Sequence, residues 1–206
     1  MQYIKFKELL REFTVFSIND IKRIEKDFHR RRLNEWQDKG YIKKVIKGYY
    51  IFSDIELTED VLFEIANRIH SPSYISLEMA LSYYHLIPES VYGITSVSTL
   101  RTYKFDTPIS RFIYRRIKPS LFFGYRFIKY SNKKSFKIAT IEKCILDYFY
   151  LNPHIETRKD FDSLRINPDI LLKHLNKNNL YIFLERFGQD RLKKRVKSFL
   201  RFIENA

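Results

Sequence analysis

The chain has 206 residues and a mass of 25.1 kDa, is 45% hydrophobic, and carries 38 Lys and Arg against 24 Asp and Glu, a net charge of +14. Its single cysteine excludes an internal disulfide framework and Cys-rich zinc sites, and no apolar run reaches the roughly 18 residues of a transmembrane helix. We therefore expect a cytoplasmic protein that does not bind a membrane. Its positive charge favours association with a polyanion or an acidic protein.

Three helices are predicted within the first 40 residues. The first covers Ile4–Glu12. The second begins after Ser17, whose hydroxyl is placed to accept a hydrogen bond from the backbone amide near Asp20. The third covers Asp27–Lys39 and ends at Gly40, where a left-handed residue closes a helix. The side chains of the third helix expected to face inward are Phe28, Leu33 and Trp36.

A β-hairpin is predicted after the third helix. The β-rich runs 41–46 and 49–52 flank the dipeptide Lys47–Gly48, in which the glycine accepts the positive φ of a tight turn. Three helices and a hairpin are the layout of a winged helix-turn-helix, whose third helix reads base edges while the wing contacts the DNA backbone. The sequence thus predicts a DNA-binding domain over residues 1–55. The expected DNA contacts are Arg30, Arg31, Arg32 and Asn34 in the third helix and Lys43, Lys44 and Lys47 in the wing.

Residues 56–206 predict a second domain, so the expected fold class is α+β. A helix over Glu59–Ile69 begins at Thr58, a residue suited to cap it. Ser76 is expected to cap the next helix in the same way.

The rest of the second domain changes from strands to helices. Residues from about 94 to 138 form short aromatic and β-branched runs, which predict an antiparallel or mixed sheet. Helices are expected from about 140 to 204. The last one covers Asp190–Glu204, with its basic side chains, including Arg195, outside or at its edges.

The positive charge is concentrated in the predicted strands, because Arg101–Lys137 holds eleven basic residues and one acid. This block indicates a basic docking surface for an acidic protein or for the DNA backbone. Its alternation of cations and aromatic rings also suits the stacking of single-stranded bases, and plainly solvated strands are a third interpretation. The docking surface is expected at Arg101, Lys104, Arg111, Arg115, Arg116, Arg126 and Lys129.

The sequence contains none of the common catalytic or metal-binding motifs. It has no Gly-rich phosphate loop, no His-Glu-x-x-His and no nucleophile elbow, and its five histidines are dispersed. Asp106 is the one acid in the basic block, too few carboxylates for a metal-dependent nuclease. Cys144 lies on an apolar helical stripe, which favours a structural role over a reactive thiol. We therefore expect neither an enzyme nor a metal or cofactor site.

Four segments together form a pattern that extends from about Phe13 to Leu151. They are the winged helix-turn-helix up to its wing at Lys47–Tyr50, the segment Pro72–Leu86, the motif Leu121–Gly124, and the helix start Ala139–Asp147 with its glutamate-lysine and leucine-aspartate pairs. In this order and spacing the segments resemble the AbiEi-type antitoxin family of type IV toxin-antitoxin and abortive phage-infection systems. No motif after Asn152 contributes to the resemblance.

The resemblance implies two activities. The N-terminal domain would bind inverted repeats in its own promoter and repress it, with the third helix and the wing supplying the DNA contacts named above. The second domain would neutralise a cognate nucleotidyltransferase-like toxin, and no stable complex with the toxin is assumed. Among the DNA contacts, Arg32 is the one whose side chain helical geometry turns partly inward.

The residues themselves leave other functions open. The N-terminal domain would alternatively dock a protein, with its arginines forming a solvated face. The chain would also suit an unrelated winged-helix regulator with a ligand- or protein-sensing C-terminal domain, or an RNA-binding protein that uses the basic sheet.

Overall fold

Three helices precede a β-hairpin in the N-terminal part, as predicted. The computed structural model describes residues 2–88 and 91–205. The helices are α1 (Tyr3–Leu10), α2 (Ile18–Ile24) and α3 (Arg31–Asp38). The sheet has the order β1–β3–β2 and consists of the hairpin strands and one unpredicted short strand, namely β1 (Phe16–Ser17), β2 (Ile42–Ile46) and β3 (Tyr49–Phe52).

The capping signals at α2 and α3 correspond to real helix ends. The Asp20 amide donates to the Ser17 hydroxyl at 3.3 Å, and the Ser17 amide donates to the Asp20 carboxylate at 2.8 Å, which forms a capping box. Gly40 follows α3 with a φ of 71°, the left-handed conformation that was predicted there. The predicted start of α3 at Asp27 was wrong, since the chain before Arg31 turns to bring Phe28 into the core.

The second part contains a six-stranded mixed sheet in the order β6–β7–β5–β4–β9–β8. The pairs β5–β7 and β4–β9 are parallel, and the other neighbours are antiparallel. The strands are β4 (Ser73–Ile75), β5 (Ile94–Ser98), β6 (Tyr103–Asp106), β7 (Arg111–Arg116), β8 (Tyr125–Ser131) and β9 (Lys134–Ala139). The predicted α+β class with a mixed sheet is confirmed. The central strand β4 was not predicted.

Helices cover both faces of this sheet. Tyr114 on β7 donates to the carbonyl of Ala66 in α4, whereas Tyr74 on β4 donates to Asp147 in α6 from the opposite face. The helices are α4 (Glu59–Ile69), α5 (Leu77–Tyr83), α6 (Ile141–Leu151), α7 (Arg158–Ser163), α8 (Pro168–His174), α9 (Lys177–Phe187) and α10 (Asp190–Glu204). The bounds of α4 and α10 are those predicted, whereas α7 was not predicted.

Two side chains have roles different from the predicted ones. Ser76 precedes α5 but does not cap it, because its hydroxyl donates to Asp147 at 3.0 Å. The amide of Met79 in the first turn of α5 donates instead to the hydroxyl of Thr95 on β5, at 2.9 Å. Arg195 is buried rather than at the edge of α10, since its guanidinium donates to three backbone carbonyls at and beyond the end of α6.

The N-terminal part has its own apolar core, but its sheet also packs on the larger core of the second part. Phe6, Phe28 and Trp36 belong to the smaller core, whereas Val45 and Ile51 of the wing belong to the larger one. The wing is thereby held against the second part. The division into domains 1–55 and 56–206 stays a prediction.

Candidate nucleic-acid interface

The N-terminal end of α3 is presented to solvent. Leu33 and Trp36 are buried and anchor the helix on its inner side. Arg30 at the N-cap and Arg31 in the first turn are exposed, and the Arg31 side chain is 89% accessible. Asn34 is exposed one turn further along. The amides of Arg32 and Leu33 in the first turn donate to the carbonyls of His29 and Arg30, at 3.1 and 3.0 Å. The exposed arginines and the positive end of the helix dipole therefore make this end of α3 suited to contact an anion, without a contribution from these two amides.

The outer surface of α3 is not uniformly basic. Arg32 is half-buried, as its helical position predicts. Glu35 lies 3.7 Å from Arg31, and Asp38 is exposed at the last turn. Because carboxylates repel phosphates, only the N-terminal turn of α3 is suited to approach a DNA backbone closely.

The predicted lysine contacts of the wing are exposed along its edge strand and at its tip. Lys43 lies opposite Ile51 and Lys44 opposite Tyr50, so the two lysines belong to opposite faces of the edge strand β2. Both are exposed, as is Lys47 in the turn, where Gly48 has a φ of 87°. The three cations therefore surround the wing instead of forming a row on one face.

The structure divides the predicted docking surface into two groups. Five of its residues belong to the β6–β7 end of the sheet or its flanking loop, and the other two belong to β8 at the opposite edge. The two edge strands are separated by five inter-strand spacings of about 4.8 Å, or about 24 Å in total. The first group consists of Arg101, Lys104, Arg111, Arg115 and Arg116, and the second of Arg126 and Lys129.

Several of these basic side chains have partners within the protein. Arg111 forms an ion pair with Asp106 at 2.5 Å, and Arg115 donates to the carbonyl of Leu151 at 2.7 Å. Arg126 lies over the ring of Tyr84, 5.4 Å from its centroid. Arg116 and Lys129 are exposed and are better candidates for contacts with another molecule. Lys104 is exposed as well, and its Nζ lies 4.0 Å from Asp106 Oδ2.

The aromatic residues of the basic strands do not form a stacking platform. Tyr114 is fully buried, and Tyr130 is half-buried with its hydroxyl donating to Glu64. Tyr125 stacks on Tyr74 inside the protein at 5.1 Å. Phe127 on β8 and Tyr103 on β6 differ from them, since these residues are 62% and 41% exposed, but they lie at opposite edges of the sheet.

A buried polar cluster on α6 was missed by the sequence reasoning. Lys143 and Asp147 form an ion pair in which both side chains are fully buried, and the hydroxyls of Tyr74 and Ser76 donate to the same carboxylate at 2.9 and 3.0 Å. Burial raises the pKa of Asp147 and lowers that of Lys143, and the ion pair opposes both effects. All four residues of the cluster are 0% exposed, so their side chains do not reach solvent. Its geometry fits a structural role.

The described residues contain neither a metal-binding cluster nor a membrane-spanning helix, and the chain matches no known family. Within residues 2–88 and 91–205, no three His, Cys, Asp or Glu side chains are grouped so as to hold a metal ion. In the same ranges, no helix has both the length and the apolar content needed to cross a membrane. Comparison with models of known protein families finds none that matches the chain, and comparison with curated proteins finds no match either.

Proposed function

We propose that the protein is a winged-helix repressor that binds inverted repeats in the double-stranded DNA of its own promoter and acts as an antitoxin. One observation carries the DNA-binding half of the proposal. The side chains of Arg30, Arg31 and Asn34 project into solvent from the N-terminal end of α3, while Leu33 and Trp36 fix that helix to the core.

The proposed mode of binding follows from the dimensions of DNA. The major groove is about 12 Å wide and admits an α-helix. An arginine at the start of α3 is suited to donate two hydrogen bonds to guanine, and Asn34 is suited to pair with adenine. Lys47 at the wing tip contacts a phosphate beside the groove. Two copies of the chain occupy the two halves of an inverted repeat, about 34 Å apart for successive turns of the helix.

Binding of the full chain to labelled duplexes tests this half of the proposal. A duplex with the inverted repeat of the chain's own promoter is compared with a scrambled duplex of equal length at the same salt concentration. We expect the promoter duplex to bind about a thousandfold more tightly. Lys159→Ala, which removes an exposed lysine from α7, is the control and keeps this ratio. Equal affinity for the two duplexes refutes the proposal.

The antitoxin half rests on the resemblance to AbiEi-type antitoxins. It predicts that a neighbouring gene encodes a nucleotidyltransferase-like toxin and that co-expression of this protein restores growth. Lys104→Glu and Arg116→Glu test the β6–β7 end of the sheet, since both side chains are exposed. Arg115→Glu is a poorer test because Arg115 holds the carbonyl of Leu151.

The growth assay separates the antitoxin from a regulator of another kind. Full promoter binding without any rescue of growth favours a winged-helix regulator with a sensing C-terminal domain. Loss of rescue in Lys104→Glu and Arg116→Glu, with promoter binding retained, assigns protection to the sheet.

A further inference from the structure

A cleft lies at the junction of the N-terminal part and the second part. It is lined by residues of α2, by the start of β3, and by α4, β8 and β9, and it encloses about 430 Å³. Sites for small ligands span about 300–1,000 Å³ and occur preferentially between structural units. The cleft therefore has the size and the location of a ligand site.

The two acids in the cleft already have partners. The Asp20 carboxylate accepts hydrogen bonds from Ser17 and forms an ion pair with Arg68 at 2.8 Å. The Glu64 carboxylate accepts hydrogen bonds from the hydroxyls of Thr14, at 2.7 Å, and Tyr130. The Asp20 charge is paired with Arg68, whereas neutral hydroxyls hold the Glu64 carboxylate and do not cancel its charge. The lining has three cations, Arg23, Arg68 and Lys137, against these two acids, so one net positive charge remains.

Two cations in the cleft have no acidic partner among residues 2–88 and 91–205. Arg23 extends from α2 on one side and Lys137 from β9 on the other. No carboxylate of the described chain forms an ion pair with either side chain. The two walls of the cleft thus present positive charge toward the same space.

Two buried hydrogen-bond donors also line the cleft. The Asn67 side-chain oxygen accepts a hydrogen bond from the backbone N–H of Lys137 at 2.5 Å, which orients the amide and leaves its Nδ2 as a donor. Asn67 Nδ2 and Arg68 Nε are buried and have no acceptor among the residues described. Both atoms lie beneath the surface of the cleft, so an acceptor oxygen in the cleft reaches them only after these side chains move.

An exposed aromatic ring completes the lining. Phe127 on β8 is 62% accessible, and its ring centroid lies 5.7 Å from Lys137 Nζ. An accessible ring beside a cation offers a surface on which a planar base stacks while its phosphate meets the charge.

We propose that this cleft binds a free nucleotide, with its phosphate between Arg23 and Lys137 and its base on Phe127. A concave cleft with donors on facing walls favours a small ligand over the extended backbone of a duplex. The proposal does not depend on DNA binding by α3.

Calorimetric titration of the full chain tests the proposal. The probes are the four ribonucleoside 5′-monophosphates, the matching nucleosides and inorganic phosphate. At least one monophosphate binds, and its nucleoside and inorganic phosphate each bind more weakly by about tenfold or more. Arg23→Glu and Lys137→Glu each weaken the monophosphate by at least about tenfold. Phe127→Ala weakens the monophosphate and leaves the affinity for inorganic phosphate unchanged.

Matched controls keep these results interpretable. Lys22→Glu removes an exposed cation next to Arg23 that does not line the cleft, and it leaves nucleotide affinity unchanged. Thermal unfolding confirms that each variant is folded. The proposal is overturned if none of the four monophosphates binds at millimolar concentration, or if the Arg23 and Lys137 variants bind as the parent does. If no monophosphate binds but a short duplex does, and its affinity falls in the Arg23→Glu and Lys137→Glu variants, the cleft is assigned to DNA instead.

Discussion

Lys143 and Asp147 lie one turn apart on α6 and form an ion pair from which solvent is fully excluded. Because Tyr74 of β4 and Ser76 before α5 donate to the same carboxylate, one acidic side chain joins α6 to the central strand and to the next helix. The Lys143 ammonium also lies 4.9 Å from the ring centroid of Phe187 in α9. Removal of either charge therefore leaves its partner unpaired in the core.

Lys143→Met is expected to lower the free energy of unfolding by about 3–5 kcal/mol, because it leaves the Asp147 carboxylate buried without its cation. Urea denaturation measures the loss. The double variant Lys143→Met/Asp147→Leu is expected to lose less than the sum of the two single variants, since no lone charge remains. Strictly additive losses would contradict the coupling.

Gly124→Ala is expected to destabilise the protein by at least about 2 kcal/mol. Gly124 has a φ of 72°, and an added Cβ would lie 3.0 Å from side-chain atoms of both Lys143 and Phe183. Gly188→Ala is the matched control, since Gly188 has a φ of 61° but no atom within 4 Å of an added Cβ. The control is expected to cost only about 1 kcal/mol of backbone strain. Equal losses in thermal or urea unfolding would exclude the steric contribution.

Arg195→Met is expected to cost about 3 kcal/mol of stability. The Arg195 guanidinium donates to the carbonyls of Phe149, Asn152 and Ile155 at 2.9–3.2 Å. In the methionine variant these three carbonyls lose their charged donor. Arg191→Met changes an exposed arginine on the same helix and is expected to have little effect. A similar urea midpoint for the two variants would show that the buried contacts contribute nothing.

Asp20→Asn is expected to make stability less sensitive to acid. Burial raises the pKa of Asp20, but hydrogen bonds from Ser17 and Arg68 outweigh burial and the pKa is lowered. The pKa of Asp20 is therefore lower in the folded protein than in the unfolded chain, so on acidification the unfolded chain binds the proton first. The ionised carboxylate thus contributes its full stability above about pH 4, the pKa of an unfolded aspartate. That contribution is lost as the pH falls through the folded-state pKa.

Urea unfolding at pH 7 and at pH 3 measures this effect. The stability difference between the parent and Asp20→Asn is expected to be about 1 kcal/mol at pH 7 and to shrink at pH 3. Asp38→Asn, at an exposed position of α3, serves as the control. A difference that is constant with pH would refute the assignment.

Arg30→Ala and Lys47→Ala are expected to affect DNA binding in different ways. Loss of an arginine that reads a base costs about 1–3 kcal/mol with the promoter duplex and relaxes sequence preference. Loss of a lysine that contacts a phosphate weakens promoter and scrambled duplexes alike and reduces the salt slope by about one. Fluorescence anisotropy over a series of salt concentrations distinguishes the two patterns. The same pattern for both variants would contradict the assigned roles.

The sequence by itself determined the local features of this protein. The caps at Ser17 and Thr58 and the left-handed glycine at Gly40 mark real helix ends. The order of three helices and a hairpin, and the bounds of α10, also follow from the sequence. These signals are local, because helical periodicity and capping depend on residues within one or two turns of each other.

Only the tertiary structure decided how these elements meet. β4 has three residues, too few to show a strand pattern, and its place at the centre of the sheet comes from pairing with β5 and β9. Strand order divides one basic block between two sheet edges, and packing turns Lys143, Asp147 and Arg195 into buried groups. Strand pairing and burial depend on contacts between residues far apart in the chain, so local sequence patterns do not predict them.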